Sequence, residues 1–189
     1  MIPEGTSLTS PRLGTFTLGP GTRAGGSASV HASQMDDGTT LAVKVHQGSK
    51  LAATTWRAAN EAKLIVSPDL GLLPPTDSFV VEFMERHYTC LLMDYFPHEE
   101  LGGLFHEEDI LRASAIPIAK RLLNGLHNLH RQGVVHGDLS PSNVLVDRTD
   151  LTVNIIDFET AWRPGGDEHP PEAWDREEYR SPEVTLFDV

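Results

Sequence analysis

The sequence predicts an α+β chain in two halves: an antiparallel sheet carrying one helix, then a mainly helical half. Three observations predict it. Two runs with apolar alternation, Val30–Ser33 and Thr39–His46, flank the turn Asp36-Asp37-Gly38, which is the pattern of a β-hairpin. A long stretch from about Glu107 to Gln132 carries apolar residues at helical spacing and ends at Gly133, a residue suited to a helix stop. Beyond that helix, polar residues with chemical potential, His136, Asp138, Asn143 and Asp157, alternate with short apolar runs. With 189 residues, 39% of them hydrophobic, the chain is long enough for one domain or two small lobes.

Taken in order, residues 1–14 are rich in Ser, Thr, Gly and Pro and are expected to form a flexible lead-in. A glycine-rich stretch, Gly19–Ser29, precedes the hairpin. Leu51–Val66 has helical composition, and residues 79–96 (FVVEFMERHYTCLLMDYF) predict two more strands. Punctuation at Pro97 and Gly102-Gly103 closes the first half, so the halves are drawn at 15–97 and 98–189. In the helix of the second half, Ile116, Ala119, Leu122, Leu123, Leu126 and Leu129 keep helical spacing. Val144–Val146 and Val153–Ile156 follow, separated by the turn-like DRTD, and an acidic loop runs from Pro164 to Glu178.

Composition narrows the function classes. A net charge of −12 gives no general attraction to nucleic-acid phosphates or anionic lipid, so neither nucleic acid nor membrane is an expected partner. The single cysteine, Cys90, excludes an internal disulfide and fits a reducing compartment. No apolar run is long enough to span a bilayer, and MIPEGTSLTSPRLG lacks the basic and apolar regions of a signal peptide; a cytoplasmic location is expected.

The most informative segment is VVHGDLSPSNVLVDRTDLTVNIIDFE. It sets His136, Asp138 and Asn143 in the order H-x-D-x-x-x-x-N, and Asp157 at the end of an apolar strand. Phosphoryl transfer needs such a set: one carboxylate, Asp138, to orient or deprotonate the attacking hydroxyl, and oxygen ligands, Asn143 and Asp157, for magnesium. A lone H-x-D is common by chance and Asp or Asn beside turns usually serves the turn, but the ordered set with its apolar flanks is far more specific. His136 is expected to hold the loop and not to act as a base.

These residues resemble the protein kinase family, and the resemblance covers the chain from about residue 16. It implies a two-lobed kinase-like fold, ATP and Mg2+ as cofactors, and transfer of the γ-phosphate to a protein hydroxyl. LAVKVH resembles the strand of the phosphate-contacting lysine, which implies Lys44 with Ala42 beside the nucleotide and Glu61 as the lysine's partner, Glu82 being less well placed. CLLMDYFP resembles the strand and hinge beside adenine, with Met93 as gatekeeper and Asp94 to Phe96 in the hinge. Gly25, Gly26 and Val30 fall in the phosphate-binding hairpin, and Ser181-Pro182-Glu183 resembles the end of the activation segment.

The chain departs from the family in several places. The three family glycines fall on Arg23, Gly25 and Ala28, so one matches. The usual arginine between His136 and Asp138 is Gly137, which implies activity without a phosphate switch on the activation loop. Ser140, Arg176 and Glu159 replace a lysine, a threonine and a glycine, and HGDLSPSN and IIDFETAW also resemble the aminoglycoside and choline phosphotransferases. A small-molecule phosphotransferase is therefore the alternative, and a pseudokinase interaction module the third reading. The sequence ends six residues after Glu183, which implies either a truncated fragment or a reduced C-terminal lobe supported by a partner or dimer. The acidic run of residues 167–178 is expected to be a solvated loop, with attraction of a basic peptide as the functional reading.

Overall fold

In the computed structural model, residues 2–24, 28–47 and 71–163 are described. The expected helix Leu51–Val66, the residues Gly25, Gly26 and Glu61, and the segment after Arg163 lie outside them. The chain divides into two compact units, Met1–Leu64 with Pro75–Phe96, and Ile65–Pro74 with Pro97–Val189.

Among the described residues, the first unit is an antiparallel sheet of seven strands: β1 (Ser7–Ser10), β2 (Gly14–Thr17), β3 (Gly21–Ala24), β4 (Ala28–Met35), β5 (Thr40–Gln47), β6 (Asp77–Phe83) and β7 (Arg86–Asp94). They lie in the order β1-β2-β4-β5-β7-β6, with β3 also paired to β4. The β4–β5 turn closes as its sequence predicts: Gly38 takes φ 88°, a conformation that glycine adopts without strain, and Met35 accepts and donates across it.

Residues 2–17 correct the expected lead-in. They form β1 and β2, and the isolated apolar residues among their serines and threonines point inward. Ile2, Leu8, Phe16 and Leu18 are buried with Leu41, Val43, Val45, Tyr88, Cys90 and Leu92 in one core. The first hairpin also ties to the loop before β6. Ser10 Oγ donates to Asp77, and Arg12 Nη1 donates to the Thr76 carbonyl at 2.9 Å.

In the second unit, β8 (Glu99–Glu100), β9 (Val144–Val146) and β10 (Val153–Ile155) form a small antiparallel sheet. A single-turn helix α1 (Leu101–Leu104) and the long helix α2 (Glu108–Arg131) pack beside it. Leu104, Ile118, Val144, Val146 and Val153 make the shared core, with Leu122 against it. The apolar residues of α2 serve two faces: Ile118 and Leu129 are buried, whereas Ile116 and Leu123 are 69% and 64% exposed. Pro117 interrupts the helix and removes the donor that would reach the carbonyl four residues back.

The stop at Gly133 is a Schellman motif. Gly133 takes φ 69°, its N–H bonds the His130 carbonyl at 2.9 Å, and Val134 N–H bonds the Leu129 carbonyl at 3.3 Å. No helix among the described residues is long and apolar enough to cross a membrane.

Candidate active site

The second unit brings three of the sequence-predicted residues, Asp138, Asn143 and Asp157, onto segments tied together by His136. Past Gly133 the chain is pinned by Val135, which exchanges backbone hydrogen bonds with Trp162 at 2.8 and 2.9 Å. His136 follows, 3% exposed. Its Nδ1 accepts the Asp138 N–H at 3.3 Å, and that contact assigns the ring proton to Nε2, which donates to the Ile156 carbonyl at 3.0 Å. One side chain thereby fastens the loop of Asp138 to the residue just before Asp157. The His136 ring also lies 5.2 Å from the ring of Phe158, which is fully buried. Thr160 Oγ1 donates to the His136 carbonyl at 3.2 Å, a third link between the same segments.

Asn143 ends a 3-10 turn (Pro141–Asn143) begun by a proline whose missing N–H costs nothing there. It is 4% exposed, and its Nδ2 donates to the Asp138 carbonyl at 2.8 Å and to Asp138 Oδ2 at 3.1 Å. The amide nitrogen is thus committed to the aspartate it accompanies, and the amide oxygen, the atom a hard cation takes, is not used in these bonds. The Asn143 carbonyl accepts the Ile156 N–H at 3.0 Å, so this residue too is fastened beside Asp157.

Asp157 has φ 66°. This left-handed conformation costs a non-glycine residue ~1 kcal/mol and is best tolerated by Asp and Asn. Gly137 has φ 85°, which gives a local reason for glycine where the family has arginine. The sequence held no sign of these conformations, and it did not single out Thr160.

The same unit shows how charge holds the β9–β10 turn. Arg148 Nη2 donates to Glu99 at 2.7 Å and its Nη1 to Glu107 at 2.9 Å. These bonds hold the Glu107 carboxyl below its ordinary range. Asp147 is lowered as well, mainly by the Thr149 N–H.

The first unit carries those of the other predicted residues that are described. Val30 packs against Ala42, Leu91 and Met93 on one face of the sheet. Lys44 lies between Val30 on β4 and Leu91 on β7 in register, and is 7% exposed. An ammonium so buried needs a polar partner. Glu82 pairs with His87, four residues along β6 from Ser78, the residue in Leu91's row. That offset is about 13 Å of strand from the row of Lys44. Asp94 ends β7 and is exposed, and Phe96 is half-buried.

The protein kinase domain family matches residues 17–187. The chain belongs to that family. This kinase domain is 35% identical over 106 residues to the serine/threonine-protein kinase WAG2 of Arabidopsis thaliana, 54% of the chain and 21% of that protein. It is 30% identical over 137 residues to WAG1 of the same plant, 70% of the chain and 28% of the relative. To the serine/threonine-protein kinase pkn2 of Myxococcus xanthus it is 28% identical over 144 residues, 73% of the chain and 17% of the relative. The kinase domain therefore spans less than a third of the length of each of these relatives.

The family implies use of a divalent metal, and the candidate ligands suit a hard cation of that kind. Asn143 and Asp157 offer oxygen alone, and no cluster of three or more His, Cys, Asp or Glu residues able to hold a metal occurs among the described residues. Mg2+ commonly takes one or two protein ligands and completes its shell with water and substrate phosphates.

Proposed function

We propose that this domain transfers the γ-phosphate of ATP to a serine or threonine hydroxyl of a protein, with Mg2+ as cofactor. The observation that carries the proposal is the fastening of Asp138 and Asn143 to each other, and of both to Ile156, next to Asp157. Phosphoryl transfer depends mostly on positioning and charge, and a network that fixes an aspartate beside cation-binding oxygens supplies both.

Asp138 orients the acceptor hydroxyl and takes its proton. Asn143 holds the Asp138 carboxylate through Nδ2 and turns its oxygen to the metal, with Asp157 as the second ligand. When bound, Mg2+ neutralises charge on the phosphates. Lys44 pairs with the nucleotide phosphates, its charge held in an apolar strand with Glu61 as counter-ion. Val30, Ala42 and Met93 make the apolar seat for adenine, and the backbone of Asp94 to Phe96 bonds its edge. Gly25 and Gly26 bring backbone N–H groups to the phosphates. The relatives' names support a serine or threonine acceptor. A buried Glu159, 7% exposed where the family has glycine, keeps the small-molecule acceptor as the second reading.

The test is transfer from γ-labelled ATP to a mixed Ser/Thr peptide library, with an aminoglycoside and choline in parallel. Label is expected in peptide, and Asp138→Asn is expected to lower kcat at least about a hundredfold at unchanged melting temperature. Label in the small molecules alone would replace the acceptor assignment, and full activity of the variant would remove Asp138 from the mechanism.

A further inference from the structure

We infer that the chain pairs with a second copy of itself through an exposed apolar face of helix α2, the two helices running antiparallel. The inference does not depend on the phosphotransfer reading.

Helix α2 carries two apolar rows, and the second unit covers one of them. Ser114, Ile118, Gly125 and Leu129 are buried, with Leu122 half-buried beside them. Ile118 and Leu122 of this row pack with Val144, Val146 and Val153 of the small sheet. The other row is Ile116, Ala119, Leu123 and Leu126, spaced by three, four and three residues. Helical geometry sets it about 120° round the axis from the covered row. Ile116, Ala119 and Leu123 are exposed, and Leu126 is half-buried.

A lone exposed leucine is ordinary on a protein surface. Here the spacing is that of a heptad seam, whose residues lock between those of a facing helix. With Ile116 opposite Leu126 of a second copy, Ala119 falls opposite Leu123, a small residue against a large one.

Charge selects the occupant and its direction. The first turn of α2 carries Glu108 and Asp109, and the last turn carries His130 and Arg131. A parallel copy would set like ends together. An antiparallel copy brings the acidic turn within reach of the basic turn, and does so twice, since one surface serves both chains and closes the assembly at two. Arg112 borders the seam with its charge already met, for Glu108 accepts from its Nη2 at 2.6 Å. Lys120 of the two copies flanks the axis, a like-charge contact that salt screens. The seam is about 27 Å long from Arg112 to His130. A single helix pair of that length lies at the low end of specific interfaces, about 1,200 Å² or less, so the association is micromolar.

The experiment is sedimentation equilibrium of the full chain in about 0.15 M salt, from about 1 μM to 1 mM, with melting temperatures alongside. A reversible monomer–dimer equilibrium is expected. Leu123→Glu is expected to weaken it at least about tenfold and to leave the melting temperature of the dilute chain unchanged. Ile116→Glu is expected to act in the same way, which keeps the test decisive if one variant does not fold. Asp109→Lys and Arg131→Glu are each expected to weaken pairing about threefold, and the double variant to restore it. These two residues lie about 33 Å apart along one helix, so rescue arises only across copies. A dimer indifferent to Leu123→Glu and Ile116→Glu overturns the inference, as does a double variant without rescue. A chain monomeric throughout overturns it too, and leaves the face to a different partner.

Discussion

At Asp157, charge and backbone conformation are separate demands on one residue. The left-handed φ of 66° favours Asp or Asn, while the role proposed for it as a magnesium ligand favours the carboxylate. Asp157→Asn therefore keeps the conformation and discards the charge. Its melting temperature without ligand is expected to stay close to the parent's. The parent should gain about 2.7 kcal/mol from Mg·ATP at a hundred times its dissociation constant, and the variant should lose most of the part that needs magnesium. Thermal scans with ATP alone, magnesium alone and both together read this directly.

Cys90 offers a second test at this scale. Burial in the apolar core of the first unit pushes its thiol up to about 12. At pH 8 only about one thiol in ten thousand is ionised in the folded state. Iodoacetamide is expected to label Cys90 only after denaturation, and rapid labelling of the folded chain would show that the core opens there.

Among the elements, the β1–β2 hairpin was the hardest to foresee. Its apolar residues stand singly among Ser, Thr and Gly, and a polar stretch of that composition reads as a loop. The signal that was present is the alternation of T-F-T-L, with Phe16 and Leu18 both fully buried. Ser29, His31 and Ser33 are the opposite case. Alternate polar residues on a strand suggest a solvent face, yet these are buried and bonded, which only the tertiary structure reveals.

The β4–β5 hairpin and the stop of α2 were legible because Gly38 and Gly133 sit where positive φ is needed. Since Phe16 fills the core and meets Phe79 edge-on at 6.2 Å, Phe16→Ala is expected to cost about 3–5 kcal/mol. Urea unfolding measures it, and a loss below about 1 kcal/mol would mean that the hairpin is a loose attachment.

Across the whole molecule, the candidate catalytic set was readable because the chemistry proposed for it demands a few residue types in a fixed order. H-x-D-x-x-x-x-N followed by an aspartate after an apolar strand leaves little freedom. What the sequence withheld was how the set is held: the bond of His136 to Ile156 joins residues 20 apart in the chain. Such pairings leave no periodic trace. In the first unit, the departure from the family's glycines was visible, whereas the hydrogen bonds of His31 and Ser33 to Gly19 were not, since they depend on which face of β4 turns inward.

The family match begins at residue 17, one position after Phe16 and within strand β2. A shortened gene product started at that boundary would lack Ile2, Leu8 and Phe16, and the sheet would be left with an uncovered apolar surface and a bare strand edge. Such surfaces attract other copies of the same chain and favour insoluble protein. For anyone preparing this domain, the useful boundary is set by the sheet and not by the alignment, and it lies before Ile2.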